Sequence, residues 1–279
     1  MAAAKTLLLR AIGWAYLLSP AATNAVDRLQ AALDEDGDCH GPDHCALNAV
    51  QRRASVERED EPRSCGFNFS HCFAEPPAGG KLLDLRPGEF ESLLVPAPAP
   101  NGTAQDMASL RFSLMANSVS TVLHQWQFLS DENIFAYSPA VGANLEKTAP
   151  TLSACIMAFY KPIRQVKDYF KEKIQRPRPF QTHTSVKPCM PEETSFSYPS
   201  GHATFYSATS ELLVPWFRAH SQRLEYIGVS GSKARALCGV HYKSDENAGM
   251  KLGKMAAIEI MQTPQWQSFV AKPSQQVLQ

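Results

Sequence analysis

Apolar residues recur at helical spacing through most of the chain. Leu152, Ile156, Phe159, Ile163, Val166 and Phe170 step by four and three, which places one apolar stripe along a helix. Pro162 interrupts that helix, and its ring and missing N–H predict a kink or a division into two. Met107, Leu110 and Leu114, followed by Val119, Val122 and Trp126, show similar spacing over roughly 25 residues. Thr204 to Phe217 and Asn247 to Met261 are apolar enough for core helices, and Thr263-Pro264 closes the second. No alternating strand pattern of useful length occurs, nor any internal repeat. The expected fold class is therefore all-α, a helical bundle. Ahead of the helices, Leu93 to Asn101 is a proline-rich arm expected to lie extended on the surface.

Composition narrows this picture. The chain has 279 residues, 44% apolar and 19% charged, with Lys+Arg and Asp+Glu both 27, as in a soluble globular protein. The absence of a basic excess argues against a nucleic-acid partner. Met1 to Ala25 has a basic flank (Lys5, Arg10), an apolar run and a small residue suited to cleavage, so it is expected to be an export signal. No later segment offers about 18 uninterrupted apolar residues, so no membrane span is expected in an exported chain, periplasmic or secreted. Val26 to Ser92 carries 14 acidic against 7 basic residues and is expected to be a partly disordered, cysteine-containing extension of a domain covering 93–279.

The seven cysteines suit an oxidising compartment. Cys39 with Cys45 and Cys65 with Cys72 are the simple local pairs, leaving Cys155, Cys189 and Cys238 unassigned. Asp34 to Cys45 holds Cys39, His40, His44 and Cys45, but its spacing fits neither an EF-hand nor a zinc pattern. A disulfide-closed acidic loop is the better reading.

Three stretches carry chemistry. In Lys171 to Phe180, Lys171 closes the periodic helix, while Pro177 and Pro179 push Arg176 and Arg178 into extended geometry. A cationic helix end followed by a stiff arginine-bearing arm can wrap an anion from two sides. Tyr198-Pro-Ser-Gly-His202 opens a helix: Ser200 is a good N-cap, Gly201 permits close approach, and the freed amides suit phosphate. In Ser232 to Asp245, His241 and Asp245 stand four apart, so within one helical turn the carboxylate can orient the imidazole. Gly239 lets the chain turn to bring Arg235 to the same site. The inventory suits phosphoryl transfer: Lys171, Arg178 and Arg235 for charge, the Ser200 and Gly201 amides as donors, and two histidines for proton and covalent work.

These motifs resemble the signature of the type 2 phosphatidic acid phosphatase and vanadium haloperoxidase superfamily, and are most similar to the class A bacterial acid phosphatases. The likeness runs from about Leu93 to about Val270 through Arg176-Pro-Arg-Pro-Phe180, Ser197-Tyr-Pro-Ser-Gly-His202 and Cys238-Gly-Val-His-Tyr-Lys-Ser-Asp245. It implies metal-independent, cofactor-free hydrolysis of small phosphomonoesters at acidic pH, with vanadate as an inhibitor. His241 would be the nucleophile forming a phosphohistidine, Asp245 its orienting group, and His202 the acid and then the base. Lys171, Arg178, Ser200, Gly201 and Arg235 would bind phosphate. Family members often carry serine before the third-motif arginine, where this chain has Ala234. Rival readings are a vanadate-dependent haloperoxidase, a lipid-phosphate phosphatase acting from the aqueous side, and a non-catalytic exported binding protein on the same scaffold. The natural substrate, the oligomeric state (a homo-oligomer included) and the role of residues 26–92 stay open.

Overall fold

In this computed structural model the described residues are Cys72, Leu83, 85–116 and 132–272, with the side chains of 112–116 excepted. They fall within one compact unit, 69–279. The expected export signal, the Asp34 to Cys45 loop, most of the acidic extension and Val119, Val122 and Trp126 lie outside the described residues.

Helix α1, Ala104–Ala116, follows the proline-rich arm. Helix α2, Pro150–Ile174, starts with proline at its first position, where no intrahelical N–H is lost. All six stripe residues of α2 are fully or almost fully buried. Removing each from water contributes about 1.5–3 kcal/mol, an upper range because unfolded chains are partly compact. The expected break at Pro162 does not occur as a division: α2 runs through it as one helix, with Pro162 buried among the residues of its packed face. Burial along both flanking turns outweighs one lost hydrogen bond.

The remaining long helices are α3 (Gly201–Leu213), α4 (Ser221–Leu237) and α5 (Lys243–Gln262), with α6 (Pro264–Val270) after the turn at Thr263. Helix α3 is central, packed most extensively on α5 and α4 and also on α2. Two glycines make the α3–α5 approach feasible. A Cβ at Gly249 would sit 2.4 Å from the Ser200 carbonyl oxygen, and one at Gly253 would sit 2.3 Å from that of Thr204. The expected helix over Thr204 to Phe217 thus begins earlier, at Gly201, and ends at Leu213. No strand occurs among the described residues, and the architecture is all-α. No helix among them is long and apolar enough to cross a membrane.

The expected Cys65–Cys72 bridge is replaced by Cys72–Cys155, and Cys189 pairs with Cys238. Proximity in sequence misled here, because Cys155 lies on the inward face of α2 and takes Cys72 as its partner in the core. The expected Cys39–Cys45 pair lies outside the described residues. The expected extended arm over Leu93 to Asn101 holds only in part: Leu93 and Leu94 belong to the short helix Glu91–Leu94, with Leu94 buried, and only 95–101 is non-helical, ending in a turn and anchored to the domain. The Ala99 carbonyl accepts from Arg176 and the Asn101 carbonyl lies 3.0 Å from His183 Nε2.

Candidate active site

Lys171 occupies the last turn of α2, which ends at Gln175 in the left-handed region (φ 51°). The prolines that follow send Arg176 and Arg178 into different surroundings. Arg178 donates to the carbonyls of Ser195 (2.7 Å) and Val240 (2.9 Å), to Ser195 Oγ (2.9 Å) and to Glu193 Oε2 (2.5 Å). Arg235, in the last turn of α4, donates to the other oxygen of the same Glu193 carboxylate and contacts Met190 Sδ. Lys171 Nζ donates to the Phe196 carbonyl. Lys171, Arg178 and Arg235 are only 5%, 1% and 1% exposed, yet they converge on a single loop, 189–197. Burial, and secondarily the charge of Arg178, pushes the Lys171 ammonium well below its usual pKa; burial brings Arg178 down to about 10.

His241 does not sit in a helical turn with Asp245, as its spacing suggests. It precedes α5, whose N-cap is Tyr242, and the turn before it is made at Gly239 with φ 76°. Asp245 is the third residue of α5, where its Oδ2 accepts from the Tyr242 backbone N–H at 2.8 Å. His241 Nδ1 and Asp245 Oδ2 are 3.5 Å apart, too far for a good hydrogen bond, and Ser197 fills the gap. Its hydroxyl donates to Asp245 Oδ2 at 2.6 Å and lies 3.2 Å from His241 Nδ1.

This network sets the tautomer of His241. Ser197 spends its proton on the carboxylate, so its oxygen accepts from Nδ1–H. Arg178 Nη1, 3.2 Å from Nε2, can only donate, so Nε2 carries a lone pair. Both constraints give a neutral imidazole with its free electron pair toward the arginine. Burial pushes the His241 pKa well below 6.5, reinforced by Arg178, Lys171, Arg235 and His202. All the expected cations and the second histidine therefore lie within electrostatic reach of His241.

Arg176 is not part of that clamp, contrary to the expected arginine-bearing arm. It donates to Asp245 Oδ1 (2.5 Å), Asp106 Oδ2 (3.2 Å), Ser244 Oγ (2.8 Å) and the Ala99 carbonyl, with the Tyr242 ring 4.3 Å from its guanidinium carbon. It ties the arm, α1 and α5 together behind the His241–Asp245 pair. Burial raises the Asp245 pKa, opposed first by Arg176 and then by Ser197 and the Tyr242 N–H.

Ser200 caps α3, accepting from the Ala203 N–H. Of the two amides expected to face an anion, that of Ser200 is committed to the Asp245 carbonyl at 3.0 Å. Gly201 has Lys167 and Glu132 beside it: a Cβ there would lie 3.2 Å from Lys167 Cδ and 3.4 Å from Glu132 Oε1. Burial would raise the Glu132 pKa, but His202 first, then Lys167, Arg164 and Arg235, hold it below its usual value. Ala234 is buried against Cys238 and Val240, inside an apolar cluster.

Ser197, Glu193, Asp106, Lys167 and Glu132 were not singled out from sequence. Lys167 had a signal in its position one turn before Lys171 on the same face, and Ser197 opens the second motif; Glu193, Asp106 and Glu132 are joined to the site through folding alone. The Cys189–Cys238 bridge fastens the 189–197 loop to the chain between Arg235 and His241.

Residues 150–269 match the PAP2 superfamily. A non-specific acid phosphatase of Salmonella typhi is 31% identical over 157 residues, covering 52% of this chain and 60% of that protein. One of Salmonella typhimurium is 29% identical over 156 residues, with the same coverage. The chain thus spans about three fifths of the length of these relatives. The matched region, which is similar to the PAP2 superfamily, holds Lys171, Arg178, His202, Arg235, His241 and Asp245.

Proposed function

We propose that the chain is an acid phosphatase that hydrolyses phosphate monoesters by two displacements at His241. The observation that carries this reading is the orientation of His241, with Nδ1 turned to Ser197 and Asp245 and Nε2 toward Arg178. Nε2 attacks phosphorus, forming a P–N bond as the bond to the leaving oxygen breaks. His202 gives that oxygen its proton, then takes one from the water that cleaves the P–N bond and releases phosphate. Lys171, Arg178 and Arg235 meet the charge on the transferring group. At an effective dielectric of about 20, each cation about 4 Å from a unit negative charge contributes on the order of 4 kcal/mol before desolvation. Gly201, at the start of α3, and Ser200, as its cap, hold the positive helix end toward the same group.

Neutral His241 and protonated His202 are required together, which gives a bell-shaped profile on the acid side. The lowered pKa of His241 supports this, because the nucleophile stays unprotonated in acid. Broad specificity, independence of metals, inhibition by vanadate and export to the periplasm or medium belong to the same proposal. The two disulfides and the names of the relatives support it. A colorimetric phosphomonoester assay with chelator present tests it: turnover at acidic pH that survives chelation is expected, and no release of phosphate would overturn it.

A further inference from the structure

The two arginines of the clamp share one partner. Glu193 offers one carboxylate oxygen to Arg178 Nη2 and the other to Arg235 Nη2, the bidentate arrangement that two oxygens of a phosphate would adopt between guanidinium groups. Its remaining surroundings make it the displaceable element. The Glu193 side chain is 34% exposed, whereas both arginine side chains are 1% exposed, so the carboxylate lies between solvent and the buried clamp. The other oxygens on Arg178 are largely backbone carbonyls fixed by the fold.

Glu193 rides on a non-helical stretch that is pinned at both ends. Cys189 is bridged to Cys238 and donates its N–H to the Cys238 carbonyl, while the Ser197 N–H donates to the Arg176 carbonyl. Between these anchors, residues 191, 192, 194 and 195 are exposed. The stretch 191–194 can lift while both anchors stay in place and the Ser195 and Phe196 carbonyls keep Arg178 and Lys171. Three buried cations around a neutral imidazole also need a counter-charge, since unpaired buried charges are costly.

We propose that Glu193 is a resident carboxylate that occupies the phosphate position of the Arg178–Arg235 clamp and must be displaced by each incoming phosphate group. This rests on reading the clamp as the phosphate site. Glu193 keeps the clamp assembled between turnovers, and it competes with the product and so hastens phosphate release.

The test is calorimetric titration of inorganic phosphate into the full chain, its Glu193→Gln variant and a Glu192→Gln control at the exposed neighbouring position. Glu193→Gln is expected to bind phosphate about tenfold more tightly, a change of about 1.4 kcal/mol, and Glu192→Gln within twofold of wild type. Equal or weaker binding by Glu193→Gln overturns the proposal, as does an equal gain in both variants or no phosphate binding by any protein. Should Glu193→Gln not fold, wild-type protein decides alone. Displacement requires hydrogen exchange across 191–194 to rise on adding phosphate, and unchanged or slower exchange overturns it. The colorimetric assay on the same samples separates the two readings. Tighter phosphate binding by Glu193→Gln without hydrolysis in any sample retains the role of Glu193 and refutes the phosphatase. Hydrolysis with binding indifferent to Glu193 does the reverse.

Discussion

Ser197→Ala removes a single oxygen from the centre of the site, and its effect can be worked from the distances around it. The hydroxyl gives Asp245 a 2.6 Å charge-assisted hydrogen bond and accepts from His241 Nδ1 at 3.2 Å, while the direct His241–Asp245 separation is 3.5 Å. Without it the carboxylate keeps Arg176 and the Tyr242 N–H but loses its link to the imidazole. Hydrogen bonds to charged groups are worth about 1.5–3 kcal/mol, so kcat/KM should fall about 10- to 150-fold. The loss should appear in kcat, because the bond orients the nucleophile and does not touch the phosphate position. Steady-state kinetics on a chromogenic phosphomonoester measures both constants, with the thermal midpoint confirming that the variant is folded. A fall of less than threefold would refute the bridging role, since His241 and Asp245 would then have closed the gap unaided. A fall confined to KM would refute the tautomer argument.

The lowered pKa of His241 has a stability consequence. Below pH 6.5 the unfolded chain binds a proton at this histidine that the folded chain refuses, so the contribution is present above that pH and lost as pH falls. Relative to His241→Gln, wild type should lose stability as pH falls from about 7.5 to about 5 by denaturant titration, and parallel curves would contradict this. Breaking the Cys189–Cys238 bridge by double serine substitution opens a loop with separation 49, and chain entropy then predicts a loss of about 4 kcal/mol. An unchanged denaturation midpoint would argue against the pairing. Gly249→Ala forces a methyl group to 2.4 Å from the Ser200 carbonyl and should cost about 1–3 kcal/mol in thermal stability. A midpoint equal to wild type would show that α3 and α5 do not approach so closely.

The helices were legible wherever one face is apolar and the others are not. The stripe from Leu152 to Phe170 names α2 because each of its members is buried. Helix α4 was not marked as a helix, since glycine, serine and charged residues dominate it and its fit depends on Tyr206 lying over Gly231. The spacing Gly249-Met-Lys-Leu-Gly253 does carry a signal of close helix packing, but it names no partner. At the site, residues within a motif could be found and given roles, because short-range spacing limits their geometry. Spacing could not divide labour between Arg176 and Arg178, two residues apart, because Asp106 and Asp245 capture one and the 189–197 loop the other. Nor could it find Ser197 as the bridge, whose partners lie 44 and 48 residues away. The cysteines failed for the same reason: Cys72 and Cys155 are 83 residues apart, and only the packed core makes them neighbours.

The covalent step is open to direct capture. Brief incubation with a phosphomonoester labelled at phosphorus, stopped in alkaline denaturant to preserve a P–N bond, should leave acid-labile phosphate on the peptide containing His241. Label on that peptide, lost in His241→Ala protein together with turnover, is the expected result. Turnover without label on His241, or full activity in His241→Ala protein, would contradict the assignment of Nε2 as the attacking atom.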